Sequence, residues 1–434
     1  MAPQALQYNR AYHQRDFWRT FLSYEHEARR ASSEVRSFHL DEDYNVLAVA
    51  TDDDDEAPAA EAVVIYGSIS SPMDPSVDSL EARWCAVTGG RGFMARHMVL
   101  ALLRSGRWRV RIMDLRADAA LTPDEDDGLL GAALRDGRAV YISANVCELA
   151  QLTKAFEGVD TVFHTAAADH NNNNFPLHYN VNVQGTKNII HACHTCSVKT
   201  LIYTSSSGVV FDGVHGLFNV DESAPYPEKF HEAYTQTKAE AEQLVMKAND
   251  INELRTCCIR PGSICGPGDG IIPTLVCYGG MRIILGDGKT DDDFVYVENV
   301  VHGHLCAEKT LSTEEGAMQC GGKAYFITNM EPMKSWKFID MLMEDLGYKR
   351  RFTLRIPVYL VMPIACLVDW SYDKIFSRFG MRKPGLITSS IVKYVTLNRT
   401  FNCHNAVEQL GYKPVVSLQE GIKITTEFYK QFRA

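Results

Sequence analysis

The chain has 434 residues, 46% of them hydrophobic, and a formal net charge of −10. Its length suits two packed units, or one large unit with a tail. The acidic balance gives no chain-wide field for nucleic acid, and the 12 scattered cysteines point to a reducing compartment, not a disulfide scaffold.

The N-terminus, "MAPQALQYNRAYHQRDFWRTF", is polar and lacks a basic-then-apolar leader pattern. "SYEHEARRASSEVRS" has the composition of a short helix. "TDDDDEAPAAEA" is an acidic low-complexity run that cannot bury a core. "AVVIYG" at 62–67 is at most an isolated strand, and "GSISSPMDPSVDS" reads as linker. Residues 1–82 are therefore expected to be a disordered extension, and no function is assigned to them.

From Trp84 the texture changes. The apolar runs "WCAVTGG", "VRIMDL", "AVYIS", "TVFHTAA", "TLIYTSS" and "TCCIRPG" alternate with helical stretches. That alternation predicts an α/β fold: a doubly wound parallel sheet covered on both faces. "CHTC" at 193–196 lies in a helical stretch without a second pair, so no metal site is expected. The longest apolar run is "IPVYLVMPIACLV" (356–368), interrupted by Pro357 and Pro363. It falls short of the roughly 20 residues that span a bilayer. It reads as a core element or an entrance lip, with a surface that dips into a membrane as the alternative.

"CAVTGGRGFMARHMVLALLRSG" follows the first strand and opens a helix. Gly89-x-x-Gly92-x-x-Ala95 is a variant of the dinucleotide fingerprint. Gly89 allows a tight turn, Gly92 lets backbone approach a pyrophosphate, and Ala95 permits close packing of helix on strand. The second strand, "RVRIMDLR", ends in Asp114, which can accept from ribose hydroxyls and repel a 2′-phosphate. That favours NAD, while Arg91 and Arg116 keep NADP open. The plainer readings are a tight turn and a solvated strand-end carboxylate.

The serines of "LIYTSSSGVVFDG" (201–213) fall at the C-terminal end of a strand, where open α/β sheets place ligands. "AYTQTKAEAE" then sets Tyr234 and Lys238 one turn apart on a helix. On an arbitrary helix this is a solvated face. Behind a phosphate loop it is a general acid/base: the ammonium lowers the phenol pKa, and a serine hydroxyl holds the substrate oxygen.

At these motifs the chain resembles the extended short-chain dehydrogenases/reductases of the 3β-hydroxysteroid dehydrogenase family. The resemblance covers about 84 to 430. It rests on "VTGGRGFMARH", "NVQGTKNII", "LIYTSSSGVVFDGVHG", "YTQTKAEAEQLVMKAN", "CCIRPGSICGPGD", "DFVYVENVVHGHLCAE", "AYFITNMEP", "MPIACLVDW" and "LGYKPVVSLQEGI". The resemblance implies Tyr234 as acid/base, Lys238 as its partner and Ser206, ahead of Ser207, as the catalytic serine. It implies Gly89, Gly92, Phe93 and Met94 against the pyrophosphate, and Ala166 and Ala167 along the cofactor. Pro261 and Ser263 would flank the nicotinamide end, with Asn182 as structural support. It further implies an NAD-binding Rossmann domain over 83–261 and a smaller C-terminal α/β substrate lobe over 262–434 that borrows the loop near 211–233.

The implied reaction is oxidation of a sterol 3β-hydroxyl to a ketone, with loss of CO₂ where a 4α-carboxylate is present. An apolar wall from 356–368 would suit a sterol and face an endoplasmic reticulum membrane. A cytoplasmic location and a homodimer stay open. Asn145-Val146 stands where the family has an Asp-hydrophobic pair near adenine. The chain looks short between "GPGD" and "ILGDG", and "DHNNNNF" (169–175) occupies a pocket-loop position. The rival readings are a nucleotide-sugar epimerase, an NADPH-dependent ketone reductase and a non-catalytic NAD-binding scaffold.

Overall fold

The computed structural model describes residues 83–169, 174–277, 283–348, 354–375 and 388–432. The expectations for residues 1–82, and for most of the asparagine run, lie outside the described residues.

Seven strands form the central sheet: β1 (Arg83–Thr88), β2 (Trp108–Asp114), β3 (Ala139–Ser143), β4 (Thr161–His164), β5 (Thr200–Thr204), β6 (Arg255–Pro261) and β7 (Lys323–Ile327). All pairings are parallel, in the order β7-β6-β5-β4-β1-β2-β3. The first six are the runs read from the sequence. Each residue of β4 and β5 is buried, as strands covered on both faces require. β7 sits in the "AYFITNMEP" stretch and carries the sheet past residue 261.

Helices cover both faces. On one side α1 (Phe93–Arg104) packs Met94, Met98 and Leu102 into a core shared with Val297, Val300 and Val301 of α4 (Val297–Leu311). On the other, Ile189 and Ala192 of α2 (Gly185–Thr195) meet Ala241 and Val245 of α3 (Ala233–Lys247). α3 is fixed to β6 by a buried fork: Arg260 donates to both oxygens of Glu242, Nη2–Oε1 2.7 Å and Nε–Oε2 3.0 Å. The Tyr226 hydroxyl donates to Glu242 Oε1 at 2.6 Å. Two charges with these extra hydrogen bonds can stay buried; either alone could not.

β1 passes to β2 and β3 on one side before the chain returns to β4 on the other. The order therefore reverses between β1 and β4, where Thr88 pairs with His164. Ligands bind at such a reversal, beyond the strand C-termini. A second sheet of four short strands, Met333–Lys334, Asp291–Asp292, Arg399–Phe401 and Leu217–Val220 in that order, joins late residues to the 217–220 strand.

The 356–368 run lies mainly in α5 (Val358–Lys374), which contains Pro363. Val361 and Ala365 pack on Val392 of α6 (Ser389–Thr396), while Tyr359, Leu360, Ile364, Leu367 and Trp370 are exposed. Among the described residues no helix is long and apolar enough to cross a membrane.

Candidate active site

The phosphate loop begins at the end of β1. Gly89 has φ +64°, and a Cβ there would lie 2.9 Å from Ala166 Cα, so the loop after β4 presses directly on it. Gly90 is equally constrained, since its Cβ would meet Ile112 Cγ2 at 2.6 Å. The fingerprint reading missed this second requirement. Gly92 is the N-cap of α1, its amide donating to Gly89 O at 2.9 Å. No side chain caps α1 and no acid lies in its first turn, so the Phe93–Met94 end keeps its positive field for an anion.

Asp114 accepts from the Arg91 amide through Oδ2 at 3.0 Å, which fixes the carboxylate across the loop mouth. Arg91 does not reach toward a phosphate. It is buried and forks onto Glu125, with Nη2–Oε2 2.8 Å and Nη1–Oε1 3.0 Å, and also donates to the Ala120 carbonyl. That corrects the expectation that left Arg91 open to a 2′-phosphate. Asn145 turns its Oδ1 to the Cys147 amide at 2.9 Å, and Val146 is buried beneath Gly185.

Three serines follow β5, and the structure separates them. Ser205 and Ser207 are buried, whereas Ser206 is half-buried and caps a single 3₁₀ turn through the Gly208 amide at 3.1 Å. The Ser206 hydroxyl is hydrogen-bonded to the side chain of Tyr234 in the first turn of α3. Ser206, which the family resemblance puts ahead of Ser207, is thus the one of the three that is only half-buried and is bonded to Tyr234.

Lys238 is tied to the strand that precedes the serine turn. Its Nζ donates to the Thr204 carbonyl at 2.5 Å and lies 4.3 Å from the Tyr203 ring centroid. Burial brings its pKa down to about 7, against the opposing charge of Glu242. Tyr234 is not acidified: burial, then the charge of Glu232, push its pKa up to about 12, with the Ser206 hydrogen bond acting the other way. The spacing placed both groups on one helix face, but the strand carbonyl claims the ammonium.

Buried threonine–histidine chains hold this arrangement. Thr88 Oγ1 accepts from the Thr165 and Ala166 amides, so its hydroxyl proton goes to His164 Nδ1 at 2.8 Å. The other ring nitrogen then donates to Thr186 Oγ1 at 3.0 Å, and Thr186 donates to the Asn182 carbonyl. His304 Nδ1 donates to the Val300 carbonyl at 2.8 Å, so its Nε2 accepts from Thr204 Oγ1 at 2.7 Å. Burial lowers His164 to about 3 and His304 to about 4, so both are neutral. Asn182 lies in one π-helical turn, Tyr179–Gln184, of the kind that re-aims side chains at sites. It accepts from the Ala168 amide at 2.9 Å and donates to Thr237 Oγ1 at 3.0 Å, tying the loop after β4 to the residue before Lys238. Polar residues inside apolar runs, as in "FHT" and "YTS", were the available signal for these chains.

Ala166 lies against Gly89, and Ala167, next in the chain, is exposed. Pro261 ends β6 buried. Ser263 donates to Asp292 Oδ2 at 2.8 Å, and Arg399 bridges both, lying 4.4 Å over the Tyr394 ring. Cys193 is buried on α2, and Cys196 donates to the Thr153 carbonyl.

A parallel sheet with a phosphate loop at its reversal, and a serine–tyrosine pair with a lysine one turn on, define an extended short-chain dehydrogenase/reductase. The chain belongs to the 3-beta hydroxysteroid dehydrogenase/isomerase family, whose model matches residues 86–358. It is 51% identical to "3beta-hydroxysteroid-dehydrogenase/decarboxylase isoform 1" of Arabidopsis thaliana, over 81% of each chain. It is 50% identical to isoform 2 over 83% of this chain, spanning 64% of that longer relative. A "Sterol-4-alpha-carboxylate 3-dehydrogenase, decarboxylating" of Homo sapiens is 33% identical over 82% of this chain and 91% of its own. Among solved structures, a dTDP-glucose 4,6-dehydratase from Streptomyces venezuelae with NAD bound has a TM-score of 0.59 at 20% identity. It covers 80% of this chain and 97% of its own, and it supports the fold alone.

Proposed function

We propose that the protein oxidises the 3β-hydroxyl of a 4α-carboxysterol to a ketone with NAD, with loss of the carboxylate as CO₂. The observation that carries this is the Ser206–Tyr234 hydrogen bond with Lys238 one turn away, in a chain so similar to a named dehydrogenase/decarboxylase. The loop residues fit NAD. Gly89, Gly92, Phe93 and Met94 leave the uncapped start of α1 open to a pyrophosphate, and Ala166 and Ala167 border it. Asp114 stands at the ribose position, with Arg91 committed elsewhere. Asn145-Val146 borders adenine, and Pro261 and Ser263 the nicotinamide end. When bound, NAD accepts the hydride from C3.

Ser206 holds the substrate oxygen and Tyr234 takes its proton. With the phenol raised to about 12, proton removal is the demanding step, and the positive charge of Lys238 favours it. The C3 ketone then lies β to the carboxylate. Its carbonyl takes up the electrons as the C–CO₂ bond breaks, and the resulting enolate is protonated. No further base is required.

Residues 83–261 serve as the nucleotide-binding domain and 262–434 mainly as the substrate lobe. The exposed Tyr359, Leu360, Ile364, Leu367 and Trp370 of α5 offer an apolar face suited to the cytosolic surface of the endoplasmic reticulum membrane, where sterols dissolve. A homodimer is compatible with this placement. The test is NADH formation and CO₂ release with a 4α-carboxysterol, beside a plain 3β-hydroxysteroid. Turnover of the carboxysterol, abolished by Tyr234→Phe with NAD binding intact, is expected. Turnover of the plain steroid alone would overturn the decarboxylating reading.

A further inference from the structure

The acid/base tyrosine has a carboxylate beside it that the mechanism above does not use. Glu232 is the N-cap of α3, in extended conformation, two residues before Tyr234. It makes no capping hydrogen bond. Its Oε1 instead accepts from the Tyr394 hydroxyl at 2.5 Å, and His231 Nε2 lies 3.6 Å away. Tyr394 comes from α6, some 160 residues further along the chain. Its ring also packs on Phe211, just beyond the serine turn, at 5.6 Å, and on His231 at 5.5 Å. A Cβ placed on Gly208 would lie 3.3 Å from Ser206 Oγ and 3.7 Å from the Tyr394 hydroxyl. One side chain from α6 therefore touches both the serine turn and the start of the catalytic helix.

We propose that Tyr394 and Glu232 are a positioning pair for Tyr234: the α6 hydroxyl holds the Glu232 carboxylate at the start of the catalytic helix, two residues before the phenol, where its charge acts on the acid/base. The proposal rests on Tyr234 being the acid/base.

Several groups among the described residues act on Tyr234 or pack against it. Ser206 reaches it from the serine turn, and its hydrogen bond favours the phenolate. His178, from the turn before Asn182, meets the ring edge-on at 6.0 Å. Tyr203 comes from β5, and Lys238 from α3 itself is turned to the Thr204 carbonyl. His231 lies beside Glu232, Lys393 acts on His231, and burial keeps His231 below its ordinary value. Arg399 is neutralised by Asp292. Among the described residues Glu232 is the acid whose charge reaches the phenol, and it holds the proton on. Removing a negative charge lowers a neighbouring phenol pKa.

The test is the pH profile of kcat/KM for NAD-linked oxidation in wild type and Glu232→Gln, beside a titration of Tyr234 by NMR of isotope-labelled tyrosine, assigned with Tyr234→Phe. Glutamine keeps an oxygen for Tyr394 but no charge. The rising limb and the NMR titration are both expected to move down by about one pH unit. Glu232→Asp, which retains the charge, is expected to bring the limb back toward wild type. Tyr394→Phe keeps the carboxylate but frees it, and is expected to move the limb part of the way in the same direction as Glu232→Gln, with KM unchanged. An NMR titration and limb unmoved by Glu232→Gln would overturn the proposal, as would a Tyr394→Phe effect confined to KM. If no sterol is turned over at all, the proposed function fails, while the NMR titration still decides this inference.

Discussion

Gly89→Ala separates two demands that a glycine pattern merges. Gly89 and Gly106 have nearly the same left-handed backbone, φ +64° and +65°. In both, alanine costs about 1–2 kcal/mol of conformational strain. At Gly106 a Cβ meets nothing within 4 Å. At Gly89 it would lie 2.9 Å from Ala166 Cα and 3.2 Å from both its nitrogen and its Cβ. Backbone lies on both sides of that contact, so neither side can rotate away. Such overpacking adds roughly 1–3 kcal/mol. Gly89→Ala should therefore destabilise by about 2–5 kcal/mol, and Gly106→Ala by about 1–2. Urea unfolding with an unchanged m-value measures both. The loop that moves is the one proposed to hold the pyrophosphate, so NAD affinity in Gly89→Ala should also fall by about tenfold or more. Equal costs for the two variants, with NAD affinity intact at Gly89→Ala, would refute the close approach as the reason for glycine.

Glu242→Gln leaves Arg260 buried without its counter-charge, and should cost about 3–5 kcal/mol in urea unfolding. Replacing both partners with methionine should recover much of that loss. Stability should fall as pH drops below about 6.5, because unfolded His164 and His304 take up protons there, whereas the folded rings do so only near 3 and 4. His304→Gln should make that decline in unfolding midpoint shallower. Lys238 titrates at about 7 when folded and 10.5 otherwise, so it penalises the folded state fully below 7, and stability should rise through that window. Lys238→Met should abolish turnover, raise the melting temperature at pH 7 and lose that rise; a lower melting temperature at pH 7 would refute the buried charge as a cost.

The first six strands, Gly89 and Gly92 of the loop and the one-turn spacing of Tyr234 and Lys238 were legible in the sequence, because each is written in local spacing. A strand buried on both faces must be apolar along its length, and a helix must repeat each face every turn. Tertiary structure decided what local spacing does not encode. It left Ser206 half-buried and buried its two neighbours by the direction of one turn. It gave Arg91 to Glu125, 34 residues away, and Lys238 Nζ to the Thr204 carbonyl. It also brought Tyr394 to Glu232 across 162 residues. Charge and hydrogen-bond partners depend on distances of a few ångströms between remote segments. The pKa values on which the chemistry turns were therefore fixed only when the chain closed on itself.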